Sequence, residues 1–302
     1  MPAIECQPRD TSRSFFDITE RCRVVVYAVF GDESHDETKA RVFAVAGVFG
    51  SDDQWKQLKT KWLGRTGGRI FHASDCETNQ GDFASTSNSD NKLLYKDLTV
   101  LLAESGLLGY GVAIDLAGHH QFFPDVPADI PYFICFRDVI CQCTEWARMS
   151  VPHDSLKFTF DIRQESNYNA GALYDYMVKA PEWKGQEFDE IGFASRGIAE
   201  IQVADLYARE VMKHLDNMVG PIQRPTRLSM QALTSTHRFG ANLLMMEYFE
   251  DFRRKYTALC LSLDMKPECY FNWLKEHKLT DSISSRHRYL ISLPNPTSIQ
   301  EI

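Results

Sequence analysis

A chain of 302 residues, 44% hydrophobic and 25% charged, has enough apolar material to bury a large core, and its composition excludes wholesale disorder. Its net charge of -8 argues against an extended nonspecific nucleic-acid binder, which would carry a basic footprint to neutralise phosphates. A nuclease is not excluded, because a carboxylate active site is itself negative and bound divalent ions reverse the local field.

The opening MPAIECQPRDTSRSFF lacks an apolar signal core and reads as a polar lead-in over residues 1–22. VVVYAVF (Val24 to Phe30) is a continuous, β-branched apolar run and predicts a buried strand that ends at GDESHDETKA. VFAVAGVFG (Val42 to Gly50) follows, so the pair predicts an antiparallel hairpin with an acidic loop, in which Asp36 and Glu37 are solvated. Ser51 and Asp52 are helix caps, and Trp55, Leu58 and Trp62 at helical spacing predict a helix ending near Gly64. FHASDCE (Phe71 to Glu77) leads into GDFASTSNSDN, a polar stretch with the composition of a flexible loop. NKLLYKDLTVLLAE (Asn91 to Glu104) predicts an amphipathic helix, and LLGYGVAIDL (Leu107 to Leu116) a third strand.

His119 and His120 read as loop polar residues. Pro124, Pro127 and Pro131 break the chain before a helix from about Tyr132 to Arg148, within which Cys141 and Cys143 read as packing residues. LKFTFD (Leu156 to Asp161) predicts a fourth strand, followed by a helix around Ala170 to Lys179, a short strand EIGFAS (Glu190 to Ser195) and a long helix from Ile198 to Val219. From about Leu228 the patterns are helical, as in ANLLMMEYFEDFRRKYTALCL. The order predicts one mixed five-stranded α/β sheet flanked by helices over residues 23–220, with a helical C-terminal appendage over 221–302. No apolar run approaches the ~18 residues of a membrane span. The eight cysteines contain no CxxC pair, so a cytosolic (cytoplasmic) protein with reduced thiols is expected.

The chemistry lies in where the aspartates fall. Asp32 and Asp161 each stand at the carboxyl end of a strand and meet if those strands are neighbours. Asp205 lies inside the apolar stripe Ile201, Ala204, Ala208, Val211, Met212 and Leu215 of the last helix, where a carboxylate loses hydration unless something compensates it. Arg209 at i+4 offers a purely structural partner. Three converging carboxylates repel one another, and two divalent ions would relieve that repulsion. Oxygen ligands without cysteine favour magnesium or manganese, and ions roughly 4 Å apart suit phosphoryl chemistry. Glu33 joins such a site only if the first strand has ended by then, because consecutive strand residues point to opposite faces.

Second-tier candidates are His72, as proton carrier or substrate contact, and Gln202, which one turn before Asp205 could orient a ligand. WKQLKTKWLGR (Trp55 to Arg65) interleaves Lys56, Lys59, Lys61 and Arg65 with two tryptophans, either as a contact for nucleic acid or as the solvated face of a helix.

Together, GDES at Asp32, FHASD at His72, the strand-end FD at Asp161 and IQVADLYAREV around Asp205 resemble the domain of unknown function 3800 family. The likeness spans about Val24 to Leu215 and departs from the family pattern at His35, where a glycine is usual. The resemblance implies a ribonuclease-H-like fold and a predicted nuclease, in some members associated with bacterial defence. The helices between the second and third strands depart from ribonuclease H itself, where three strands form a continuous meander.

The expectation is thus a Mg2+- or Mn2+-dependent nuclease acting on DNA or RNA, with Asp32, Asp161 and Asp205 holding metal and Glu33 assisting. Two other readings stand beside it. One is a noncatalytic binding or scaffold protein on the same fold, using its C-terminal helices for a protein partner or a second copy. The other is a nucleotide phosphohydrolase.

Overall fold

The computed structural model describes residues 26–122, 130–151, 155–162 and 191–251, with 170, 171, 174, 175, 178 and 254. The lead-in of residues 1–22, most of the helix expected at 170–179 and the appendage beyond 254 lie outside the described residues.

The expected hairpin forms from β1 (Val26–His35) and β2 (Val42–Ser51), paired antiparallel from Tyr27↔Ser51 to His35↔Phe43. Asp36 was expected in solvent. It is instead buried, and it ties the hairpin loop by accepting backbone N–H groups of Thr38, Arg41 and Val42. Burial raises its proton affinity, but those donors and the Thr38 hydroxyl outweigh burial and hold the carboxyl well below its ordinary value.

Three helices separate β2 from β3 (Leu108–Asp115). α1 (Asp52–Thr66) starts at a reciprocal cap between Ser51 and Gln54 and ends at Gly67 in the left-handed region, two residues past the expected end. α2 (Ala73–Thr78) and α3 (Asn88–Ala103) enclose the stretch expected to be a flexible loop. That stretch is anchored: Phe83 is fully buried, and Asn91 donates to the Phe83 carbonyl at 3.0 Å and to Asn79 Oδ1 at 2.9 Å. A buried aromatic and a buried amide give a polar segment fixed partners that composition alone does not reveal.

α4 (Leu116–Phe122) carries His119, which is buried rather than a loop polar residue; its ring meets that of Phe249 edge-on. Burial pushes its imidazole down to about 4. α5 (Ile130–Ser150) then precedes β4 (Ser155–Asp161), β5 (Gly192–Ala194) and α6 (Ala199–Val219).

The chain next adds α7 (Leu228–Thr234) and a strand, β6 (Phe239–Leu244), where helical patterning was expected. Among the described residues the sheet therefore has six strands, where five were expected, in the order β5-β4-β1-β2-β3-β6. β4 and β5 run parallel to β1, β3 antiparallel to β2, and β6 parallel to β3. β6 escapes a reading by periodicity because its six residues run straight into a helical segment and Leu243, Leu244 and Met245 interrupt the alternation.

Helices cover both faces, which is why β2 is apolar throughout and buried over nine of its ten residues. On one face Val29, Val45, Phe49 and Ile114 pack with Phe136, Val139 and Cys143 of α5. On the other, Ala28, Ala44 and Val48 share a core with Trp55 and Trp62 of α1, Leu98 of α3 and Leu206, Val211 and Leu215 of α6. Gly111 lets α6 approach: a Cβ there would stand 2.6 Å from Val211 Cγ2. Among the described residues, no helix is long and apolar enough to cross a membrane.

Candidate functional site

The parallel pairing of β1 with β4 ends at Gly31↔Phe160, so the next residue on each strand, Asp32 and Asp161, is a carboxylate at the same level of the sheet. Alternation puts Gly31 and Phe160 on the α5 face and both aspartates on the α6 face. Gly31 is required there, because a Cβ would lie 2.3 Å from the Phe160 ring. The apolar stripe of α6 packs against the same face and brings Asp205 to Asp32, so that the charges of both Asp205 and Asp161 act on Asp32.

Asp32 and Asp205 are 1% and 3% exposed, and Asp161 is half-buried. One Asp205 carboxylate oxygen, Oδ2, accepts the backbone N–H of Ala73 at 2.7 Å. Asp32 Oδ1 accepts the N–H of Glu33 at 2.7 Å, whereas Asp32 Oδ2 is buried without a hydrogen bond. The neighbouring cation is Arg196, in the connection from β5 to α6. Its Nε lies 3.3 Å from Asp161 Oδ2 and 3.8 Å from Asp32 Oδ2. Burial, then the charges of Asp205, Asp161 and Glu33, lift the Asp32 carboxyl well above its usual range against the pull of Arg196. Burial also raises Asp205 against His72 and Arg196, and raises Asp161 against Arg196. Burial, reinforced at Asp32 by the neighbouring carboxylates, thus outweighs the opposing positive charges.

A cavity of about 380 Å³ opens beside the cluster, lined among others by Glu33, Glu37, His72, Arg196, Asp205 and Arg209. Glu33 is still within β1, which continues to His35, so its side chain alternates away from Asp32 while its charge still acts on that carboxyl. His72 precedes α2 at the cavity wall, with Nδ1 3.0 Å from Asp75 Oδ2.

Gln202 is 2% exposed and is neither a surface residue nor placed in the cavity lining: Oε1 accepts from Trp62 Nε1 at 3.0 Å, and Nε2 donates to the Arg196 carbonyl at 2.9 Å. It positions the Arg196 connection. Arg209 makes its direct ion pair with Glu77 at 2.8 Å, and acts on Asp205 only as a nearby charge. Lys56 stands in solvent near Asp53, and Lys59 pairs with Glu200 at 2.9 Å; neither lines the cavity. The tryptophans on either side of them, Trp55 and Trp62, are buried in the core, where they cannot stack on bases.

Arg196 is the residue that sequence reasoning missed. A lone arginine in SRG carries no motif, but two buried carboxylates and a half-buried one require a positive charge, and this arginine connects the strand beside Asp161 to the helix bearing Asp205.

The donor set suits a hard divalent cation in kind, being all carboxylate and including a buried oxygen with no hydrogen bond. In arrangement, Arg196 lies against two of the three aspartates, and among the described residues no set of three or more His, Cys, Asp or Glu side chains is disposed to hold a metal ion. Compared with models of known protein families and with curated proteins, the chain matches none.

Proposed function

We propose that the chain is a divalent-metal-dependent nuclease on a ribonuclease-H-like core. The carrying observation is the convergence of Asp32, Asp161 and Asp205 on one sheet face with raised proton affinities, next to a cavity that also presents Arg196, Arg209 and His72. The antiparallel β1-β2-β3 arrangement supports the fold assignment, with α1 to α3 as an insertion between its second and third strands and β6 as an extension.

Asp32, Asp161 and Asp205 would hold Mg2+ or Mn2+, and such ions supply an activated water and charge stabilisation for a phosphodiester. The protein's own contributions follow from its geometry. Arg196 gives the cavity a guanidinium suited to phosphate, while Arg209, which also lines it, is committed to Glu77. The Ala73 N–H fixes the Asp205 carboxylate, and the Glu33 N–H fixes that of Asp32. His72, on the cavity wall, is placed to exchange a proton with bound substrate.

The test is cleavage of labelled single- and double-stranded DNA and RNA with Mg2+ or Mn2+, with nucleotides assayed alongside to detect a phosphohydrolase. Cleavage that stops with chelator and is lost in Asp205→Asn is expected. Full activity of that variant at saturating metal would refute the three-aspartate assignment. One observation favours a noncatalytic binding protein instead: Arg196 already neutralises part of the cluster. A folded wild-type chain that takes up no metal by calorimetry would establish that reading over the first.

A further inference from the structure

We propose that Arg196 is a built-in, displaceable counter-ion: it lies where the charge of a divalent cation belongs, and it exchanges for one as its guanidinium passes to a phosphodiester in the cavity. This rests on the reading of the three aspartates as a divalent-cation site.

The contacts of Arg196 are those of a placeholder. Its Nε distances of 3.3 and 3.8 Å to Asp161 and Asp32 come without hydrogen-bond alignment, and Asp32 Oδ2 stays unsatisfied despite them. The same protein holds a structural arginine differently: Arg209 meets Glu77 through aligned bonds of 2.8 and 3.0 Å. A guanidinium held by net charge rather than by directed bonds is released when another anion offers its oxygens in pairs.

The backbone beneath it is fixed. Gln202 grips the Arg196 carbonyl and is itself held by Trp62, so the main chain stays in place while the side chain, 36% exposed and facing the cavity, has room to turn. The exchange limits the change in local charge to one unit, because the phosphodiester that draws Arg196 away offsets part of the incoming divalent charge. Without phosphate, one positive charge tempers the repulsion of Asp32, Asp161 and Asp205; with it, the cation takes that place and Arg196 follows the phosphate. Metal and nucleic acid then bind with positive coupling, which must be reciprocal.

Mn2+ affinity of the full chain, measured by calorimetry or electron paramagnetic resonance, tests this without any cleavage readout. Arg196→Ala and the bulk-preserving Arg196→Gln are expected to bind Mn2+ on the order of tenfold more tightly than wild type, because a like charge beside the ion is removed. Arg196→Lys, which keeps the charge, is expected to return toward wild-type affinity. A short phosphorothioate oligonucleotide is expected to tighten Mn2+ binding on the order of tenfold in wild type and less than about twofold in Arg196→Gln. Unchanged or weaker Mn2+ binding in whichever neutral variant folds, with wild type binding normally, would overturn the counter-ion role alone. Absence of Mn2+ binding in every folded form would overturn the cation-site reading and this inference together.

Discussion

Helix α6 carries two buried charge clusters little more than one turn apart, and they are built on opposite plans. Around Glu77 and Glu210 every carboxylate is matched: Glu77 takes bonds from Arg209 and Arg227, and Glu210 from Tyr95 at 2.6 Å, Ser229 at 2.5 Å and Arg227 at 3.2 Å. Burial pushes the Glu77 carboxyl up, yet Arg227 and Arg209 bring it below its usual value. Around Asp205 three carboxylates face one loosely held guanidinium, and all three are raised. Cationic partners, Arg209 from α6 and Arg227 from just before α7, are therefore supplied in full around Glu77 and Glu210 and sparingly around Asp205. Such a localised shortfall, beside a cavity, marks a functional site more securely than charge density does.

The largest expected effect breaks the under-matched cluster. On the nuclease reading proposed above, Asp205→Asn should lower cleavage by at least ~100-fold, because one of the three proposed cation ligands is lost. Its melting temperature should hold or rise, since the amide oxygen still accepts from Ala73 and one repelling charge is gone. A loss of stability in a thermal melt would mean that Asp205 is structural after all.

Glu77→Gln should do the reverse, costing about 2 kcal/mol of stability in urea denaturation by stranding Arg209 and Arg227, with partial exposure limiting the loss. The pH dependence follows. A carboxyl whose proton affinity is lowered on folding adds stability above its unfolded value and loses it as pH falls. The advantage of wild type over Glu77→Gln should therefore be full at neutral pH and shrink below the usual glutamate value of 4.5. An advantage that grew on acidification would contradict the matched-cluster description. The smallest effect is expected from Lys59→Ala, within ~0.5 kcal/mol of wild type and with unchanged cleavage, because its pair with Glu200 is exposed on the lysine side and lies away from the cavity lining. Loss of nucleic-acid affinity in that variant would return α1 to the substrate path.

Much of this arrangement was legible because apolar runs announce strands, although only Asp161 ends its strand: β1 continues past Asp32, where it was expected to end, to His35. VVVYAVF and LKFTFD are apolar runs that break at or near an aspartate, and a carboxylate within the stripe of α6 can be read by spacing alone. What escaped depends on distant partners. β6 is short and merges with a helical pattern; Asp36 becomes buried only because the hairpin folds around it; Arg196 has no local signature and acquires meaning only once β5 lies beside β4. Gln202 was expected to orient a ligand, and its actual anchoring of the Arg196 backbone required knowing where Trp62 points.

The parallel register of β1 and β4 works as a ruler. Asp32 and Asp161 each stand six residues beyond the first matched pair, Val26 and Ser155, so their meeting depends on chain length along two strands rather than on the side chains between. Apolar substitutions within the ruler can be absorbed by repacking. A single-residue deletion cannot: removing one position from either strand turns its aspartate to the α5 face and separates the pair at a stroke. Evolution along this sheet edge is therefore free in letters and constrained in length, and a scan of one-residue deletions would trace the site as a sharp boundary where a substitution scan shows only a gradient.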